Sequence, residues 1–270
     1  MMMKRVKKIL NIACIGALKL YNLYDIKERV LILYYHSINK RLGKYYYLKT
    51  PPDVFKKQMN LIKDCCQVIS LNELVKKVKH GQKIKDCVII TFDDGFKDNY
   101  TTAYPILYKY DLPATFFITT SFVGKKGYME WKNVRELAQS GFDIGSHGVT
   151  HRKLSALSLH RVEEELKFSK EIIEAKIHKS INLFAAPYGD KNSVNLEIIN
   201  LVKKYYDCCC LTQGFFGLNP ERIDLYQLKR IPVPPSVSEF KAITNKEAGL
   251  WLWLYEKLIT IKSKFNSELK

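Results

Sequence analysis

Short apolar, β-branched or aromatic runs alternate along this chain with stretches of helical period. The runs are "RVLILYYHS", "DCVIITFDDG", "ATFFITTSFVG", "GFDIGSHG", "INLFAAPYG", "DCCCLTQGF" and "LKRIPV", most of them short and bounded by Gly, Pro or Asp. Each reads as a buried parallel strand. Between them lie "PPDVFKKQMNLIKDCC", "SLNELVKKVKHG", "NYTTAYPILYKYD", "WKNVRELAQSG", "SLHRVEEELKFSKEIIEAKIH" and "NSVNLEIINLVKKYY", where apolar residues return at helical spacing. This alternation predicts an α/β fold around a parallel sheet, open or closed into a barrel. No repeat or low-complexity linker interrupts it.

Polar residues punctuate the pattern unevenly. His36 ends the first run, Asp93 and Asp94 end the second, His147 and His151 follow the fourth, and Tyr188 follows the fifth. All stand at the carboxyl ends of predicted strands. In α/β folds that edge is where side chains from several strands converge on one mouth.

Composition changes the picture in two ways. Of 270 residues, 44 are Lys or Arg and 27 are Asp or Glu, so a net charge of +17 draws the surface toward anions. Nucleic acid is excluded as the expected partner, because there is no zinc-finger spacing, RRM-like signature or basic region with heptads, and the lysines are scattered. An anionic membrane surface fits better. The basic start of the chain, with Leu10, Ala13, Cys14, Ala17 and Leu18 at helical spacing, suits an amphipathic helix lying on a membrane or one packed on the domain. The apolar stretch there is too short to span a bilayer. At the other end "EAGLWLWLYEKLITIKSKF" offers Trp251, Trp253 and Tyr255 to a headgroup layer, or equally to a helix against the domain. The expected division is therefore a basic helix over 1–29, a catalytic domain over 30–236 and a helical tail over 237–270. Peripheral membrane association follows, on the cytoplasmic face or in the cell envelope. Seven cysteines, consecutive at Cys208 to Cys210 and at Cys65 and Cys66, lack a disulfide framework and read as reduced thiols. Those on a strand behave as small hydrophobes rather than metal ligands.

The candidate chemistry lies in "GSHGVTH" and "TFDDG". His147 and His151, four apart, can reach one ion from either a helical turn or a curved loop, and a carboxylate would complete a three-ligand set with an open position for water. Adjacent carboxylates after a strand can divide labour, one on a metal and one beside its water. In isolation each motif also fits an ordinary polar turn.

Together and in order, "TFDDG", "SHGVTH" and "APYGD" resemble the polysaccharide deacetylase family, with its NodB-homology domain, also called carbohydrate esterase family four. The resemblance runs over roughly Val30 to Val233 and includes "MEWKNVRELAQSGFDIGSH". It implies a distorted (β/α) barrel of about seven strands, matching the seven runs. It further implies a divalent metal, zinc above all, held by Asp94, His147 and His151, with Asp93 as general base and the Tyr188 backbone N–H at an oxyanion site. The implied substrate is an acetylated glycan, and the implied reaction removes acetyl groups, N-acetyl of amino sugars first. O-acetyl ester cleavage, deformylation of a lipid-linked sugar and a decayed glycan-binding protein are the alternatives. Two departures stand out. Many members carry an arginine before Pro-Tyr where this chain has Ala185 and Ala186, and Arg230 in "LKRIPV" is the residue able to replace it. The family's late histidine is absent, since no His follows His178. His36 takes that place as general acid, as in the permuted poly-N-acetylglucosamine deacetylases. His80, His160 and His178 read as surface residues.

Overall fold

Strands in this chain alternate between two apolar faces, and that alternation decides which side chains look into the barrel. The computed structural model describes residues 29–40, 48–190, 192–212, 214, 217–234 and 236–244. The basic N-terminal helix and most of the C-terminal tail expected from sequence lie outside these residues.

The sheet is built from β1 (Val30–Tyr35), β2 (Cys87–Phe92), β3 (Thr115–Ile118), β4 (Asp143–Ser146), β5 (Leu183–Ala185), β6 (Cys208–Leu211), β7 (Leu228–Lys229) and β8 (Ile231–Pro232). All pairings are parallel, in the order β7-β6-β5-β4-β3-β2-β1-β8. The two edge strands are one run, "LKRIP", whose first half pairs with β6 and whose second half pairs with β1. That stagger closes the sheet into a nearly complete barrel. It also explains why seven apolar runs yield eight strands. Arg230 stands at the switch between partners.

Helices cover the outside: α1 (Pro52–Cys65), α3 (Tyr104–Lys109), α4 (Trp131–Gln139), α5 (Leu159–Ile177), α6 (Leu196–Tyr205) and α7 (Val237–Thr244), whereas α2 (Leu71–Lys79) crosses the amino ends of the strands. Their starts carry local signals. Pro52 opens α1, the Ser70 side chain accepts the Glu73 N–H at α2, and Asn195 accepts the Ile198 N–H at α6. The segment set apart from sequence as a tail begins with α7, whose Phe240 and Ile243 join the same core as the outer barrel face.

Alternation sorts each strand. Leu31, Leu33 and Tyr35 of β1 and Val88, Ile90 and Phe92 of β2 pack outward under the helices, where Tyr35, Phe92 and Phe116 stack at 5.3 and 4.9 Å. Each such aromatic pair adds about 0.5–1.5 kcal/mol beyond area burial. Val30, Ile32, Ile89, Phe117, Leu183, Cys208, Cys210 and Leu228 face inward and meet Leu71, Leu74 and Val75 of α2. Cys209 belongs to the outer cluster and its two neighbours to the inner one, as period two requires. The described cysteines are free thiols. Gly145 of β4 must lack a side chain, because a Cβ there would lie 2.5 Å from the Phe117 ring inside the barrel. Among the described residues no helix is long and apolar enough to cross a membrane.

Candidate active site

The inward series of each strand continues into polar residues at the carboxyl end. On β2 it runs Cys87, Ile89, Thr91 and then Asp93; on β1 it runs Val30, Ile32, Tyr34 and then His36. Beyond β4 the same parity reaches His147, and from Leu228 it reaches Arg230. The barrel mouth is therefore charged because the inward phase persists after the apolar residues end.

Arg230 and Asp93 are both buried and face each other bidentately, with Nη1 to Oδ1 and Nη2 to Oδ2 each 2.7 Å. Nη1 also donates to Thr91 Oγ1 at 3.1 Å, and the guanidinium lies 5.0 Å from the Tyr34 ring centroid and 5.4 Å from that of Phe117. Burial would push the Asp93 carboxyl up, but the Arg230 charge, aided by His147 and His36, holds it well below the usual carboxylate range. Burial likewise opposes the charge on Arg230, and Asp93 more than offsets it.

Asp94 leaves the strand in the left-handed region, at φ 72°, and so turns away from its neighbour. Its Oδ1 lies 3.5 Å from His147 Nε2 and 3.1 Å from His151 Nε2, and one donor atom from each of the three residues lies within 4.8 Å of the others. His147 Nδ1 is 2.7 Å from the Ala185 carbonyl oxygen, which only accepts. The imidazole therefore carries its proton on Nδ1 and presents a lone pair at Nε2. Burial pushes the His147 pKa down to about 4 against the pull of Asp93 and Asp94, so the ring is neutral at physiological pH. Burial works the same way on His151, but its contact with Asp94 wins and raises its pKa. Burial would raise the Asp94 carboxyl, and the nearby histidines outweigh it and lower it.

These residues fit a divalent metal. Asp94 Oδ1 is buried with only the two imidazole nitrogens beside it and no well-aligned donor, a need that a cation held among the three would satisfy. Two imidazole nitrogens and one carboxylate oxygen are the donor set that suits zinc and leaves an open position.

The loop after β1 places His36 half-buried at the same mouth, its ring 5.7 Å from Tyr34. Its field helps lower both Asp93 and Asp94. That loop is anchored by residues that the motif pattern does not single out. Asn99 Nδ2 donates to the His36 carbonyl at 2.6 Å, while Asp98 accepts from Ser37 Oγ at 2.6 Å and from the Ile38 N–H at 2.9 Å. Both anchors sit just past "TFDDG", and their signal in sequence was proximity alone. Tyr188 is left-handed at φ 63° and 57% exposed, with its ring 5.2 Å from that of His151. The structure thus brings His36, Asp93, Asp94, His147, His151, Tyr188 and Arg230 to one end of the barrel, whereas His80, His160 and His178 are exposed elsewhere.

Comparison with known proteins is consistent with this geometry. Residues 80–205 match the sequence profile of the family described as polysaccharide deacetylase. His36 and Arg230 lie outside that stretch. The Bacillus subtilis protein YxkH, named for the polysaccharide deacetylases, is 31% identical over 209 residues, covering 77% of this chain and 72% of its own. The poly-β-1,6-N-acetyl-D-glucosamine N-deacetylase of Staphylococcus aureus is 29% identical over 182 residues, and the chain spans 62% of its length. Among solved structures, the Streptococcus pyogenes deacetylase PplD in complex with acetate superposes with a TM-score of 0.68 at 26% identity, covering 77% of this chain and 93% of that one. The profile, the relatives and the barrel agree, and the chain belongs to the polysaccharide deacetylase family of hydrolases.

Proposed function

We propose that this protein hydrolyses N-acetyl groups on the amino-sugar units of a glycan, releasing acetate and leaving free amines. The observation that carries the reading is a metal-ready Asp94, His147 and His151 set with a buried, ionised carboxylate, Asp93, on the adjoining residue. The substrate class follows the staphylococcal relative, which is named for N-deacetylation of a poly-N-acetylglucosamine.

Asp94, His147 and His151 would hold the ion, zinc by donor chemistry, and when bound it supplies Lewis acidity and water of lowered pKa. Asp93 takes one proton from water as its oxygen adds to the acetyl carbonyl carbon. Arg230 occupies one lone pair on each Asp93 oxygen, so the carboxylate is fixed in plane and retains acceptor capacity. The ion pair keeps Asp93 ionised despite its burial, so it is free to accept that proton. The Tyr188 backbone N–H would serve the oxygen of the tetrahedral carbon; the residue is left-handed at φ 63° and its ring lies 5.2 Å from that of His151, which supports a place for it at the mouth. His36 gives a proton to the nitrogen as the C–N bond breaks. Asp93 then releases its proton and His36 regains one, so over the full cycle the hydroxyl of the water goes to acetate and its proton to the amine.

The test is acetate release from N-acetylated β-1,6-glucosamine oligomers, chito-oligomers and O-acetylated glycans, after chelation and with zinc added back. Asp93→Asn and His147→Ala should each lower release from the N-acetylated substrates by about 10²-fold or more. Undiminished turnover in either variant sinks the reading. Turnover of the O-acetylated substrates alone would make the protein an esterase, and no turnover with no zinc bound would make it a glycan binder. We also assign the protein to a membrane surface, on its net charge of +17 and the amphipathic pattern of its termini. Sedimentation with anionic but not neutral vesicles checks this.

A further inference from the structure

One buried carboxylate near the site has no part in that chemistry. Glu165 sits on α5 among Val162, Leu166 and Ser169, the stripe that faces the barrel, whereas Glu163 and Glu164 on either side of the stripe are partly exposed. Among the described residues Glu165 makes no ion pair. Its carboxylate is instead satisfied by the loop that links the two histidines. Oε2 accepts the Val149 N–H at 2.7 Å and the Thr150 N–H at 2.9 Å, and Oε1 accepts the Thr150 hydroxyl at 2.5 Å. Two successive amides aimed at one oxygen form an anion-binding nest, here filled by a side chain of the same protein.

The loop is fitted to that oxygen. Gly148 is left-handed at φ 78°, and a Cβ there would stand 3.0 Å from Glu165 Oε2. Across the loop, the Gly148 and Val149 carbonyls accept the Thr120 and Ser121 N–H groups at 3.2 and 3.0 Å. The next residue after the nest is His151, itself left-handed at φ 58°. A side-chain-bearing residue persists in that region only where its surroundings hold it there. We propose that Glu165 is a positioning residue, whose carboxylate clamps Gly148–Thr150 so that His151 Nε2 faces Asp94 Oδ1. The inference rests on the metal-set reading above.

Its test compares the parent protein with Glu165→Gln, Glu164→Gln and His151→Ala, each at a temperature where it is folded. Zinc affinity is read by chelator competition, and amide hydrogen exchange is read across residues 147–151. Gln keeps the size of Glu but sets an NH2 group against donors. Glu165→Gln should weaken zinc binding about 10- to 100-fold, speed exchange across 147–151, and recover acetate release when zinc is raised. Glu164→Gln, whose partners are the surface residues Arg161 and His160, should match the parent in every readout. Zinc affinity and exchange unchanged in Glu165→Gln, with or without a lower Tm, would reduce Glu165 to a purely structural group and overturn the proposal. If that variant does not fold, Glu165→Asp keeps the charge but withdraws the carboxylate by one methylene from the Val149 and Thr150 N–H groups, and an unaltered zinc affinity there overturns the proposal equally. A parent protein that binds no zinc, or a His151→Ala variant that binds it as well as the parent, defeats the metal-set reading and this inference with it. Binding lost in His151→Ala but intact in Glu165→Gln defeats the positioning role alone.

Discussion

The lower and upper halves of the barrel interior are drawn from the same strands and the same period-two phase, yet they have opposite chemistry. At the amino end, Val30, Ile32, Ile89, Cys208, Cys210 and Leu228 close on Leu71, Leu74 and Val75 of α2 with apolar contacts. At the carboxyl end, the same phase delivers His36, Asp93, His147 and Arg230, joined by Asp94 and His151 from turns. The backbone differs as well. Five non-glycine residues among those described have positive φ; Asp111 and His178 follow helices, and the other three, Asp94, His151 and Tyr188, are all at the mouth. The apolar half secures the barrel's shape, and the charged half spends part of that stability on groups that would otherwise point elsewhere.

Three substitutions would break or sharpen this contrast. The largest effect is expected from Arg230→Ala, which leaves the Asp93 carboxylate buried and unpaired. Denaturant unfolding should show a loss of about 3–5 kcal/mol, with acetate release at background. Stability and turnover near those of the parent would mean that the upper half does not depend on the pair. Leu74→Ala, in the α2 plug, should cost about 2–4 kcal/mol through its cavity, while kcat of the folded enzyme stays at the parent level. A fall in kcat at a temperature well below Tm would show that the two halves are not separable. Tyr188→Gly should work in the opposite sense, raising stability by about 1 kcal/mol as the left-handed strain is relieved. On the oxyanion role proposed for its backbone N–H, the same variant should lower kcat, because the turn loses its ring contact with His151. A lower Tm for Tyr188→Gly would contradict the assignment of strain to that position.

Much of the framework was legible in the sequence because strand and helix signals are local. Seven apolar runs bounded by turn residues all appear as strand, and the six helical stretches between them all contain helices. The convergence of His36, Asp93, Asp94, His147, His151 and Tyr188 was legible for a related reason, since parallel strands place their carboxyl ends together. What local pattern did not convey was pairing across the barrel. "LKRIPV" reads as one strand, and only the closed sheet shows its two halves bonded to different neighbours. Glu165 was harder. "VEEELK" looks like a solvent-facing acidic helix, although Glu165 falls three residues after Val162 and one before Leu166, on the buried stripe. A charge on an apolar stripe is a signal, but it names no partner until the fold brings Val149 and Thr150 to it.

The switch of partners at Arg230 has a consequence for when the protein becomes competent. The ring of strands is completed by two-residue ladders on either side of a single arginine, and that arginine also fixes the orientation of Asp93. A chain that has not joined this run to both neighbours would lack the contact that orients Asp93, the proton acceptor proposed above. Closure of the barrel and the fixing of the proposed base therefore depend on the same short run of residues.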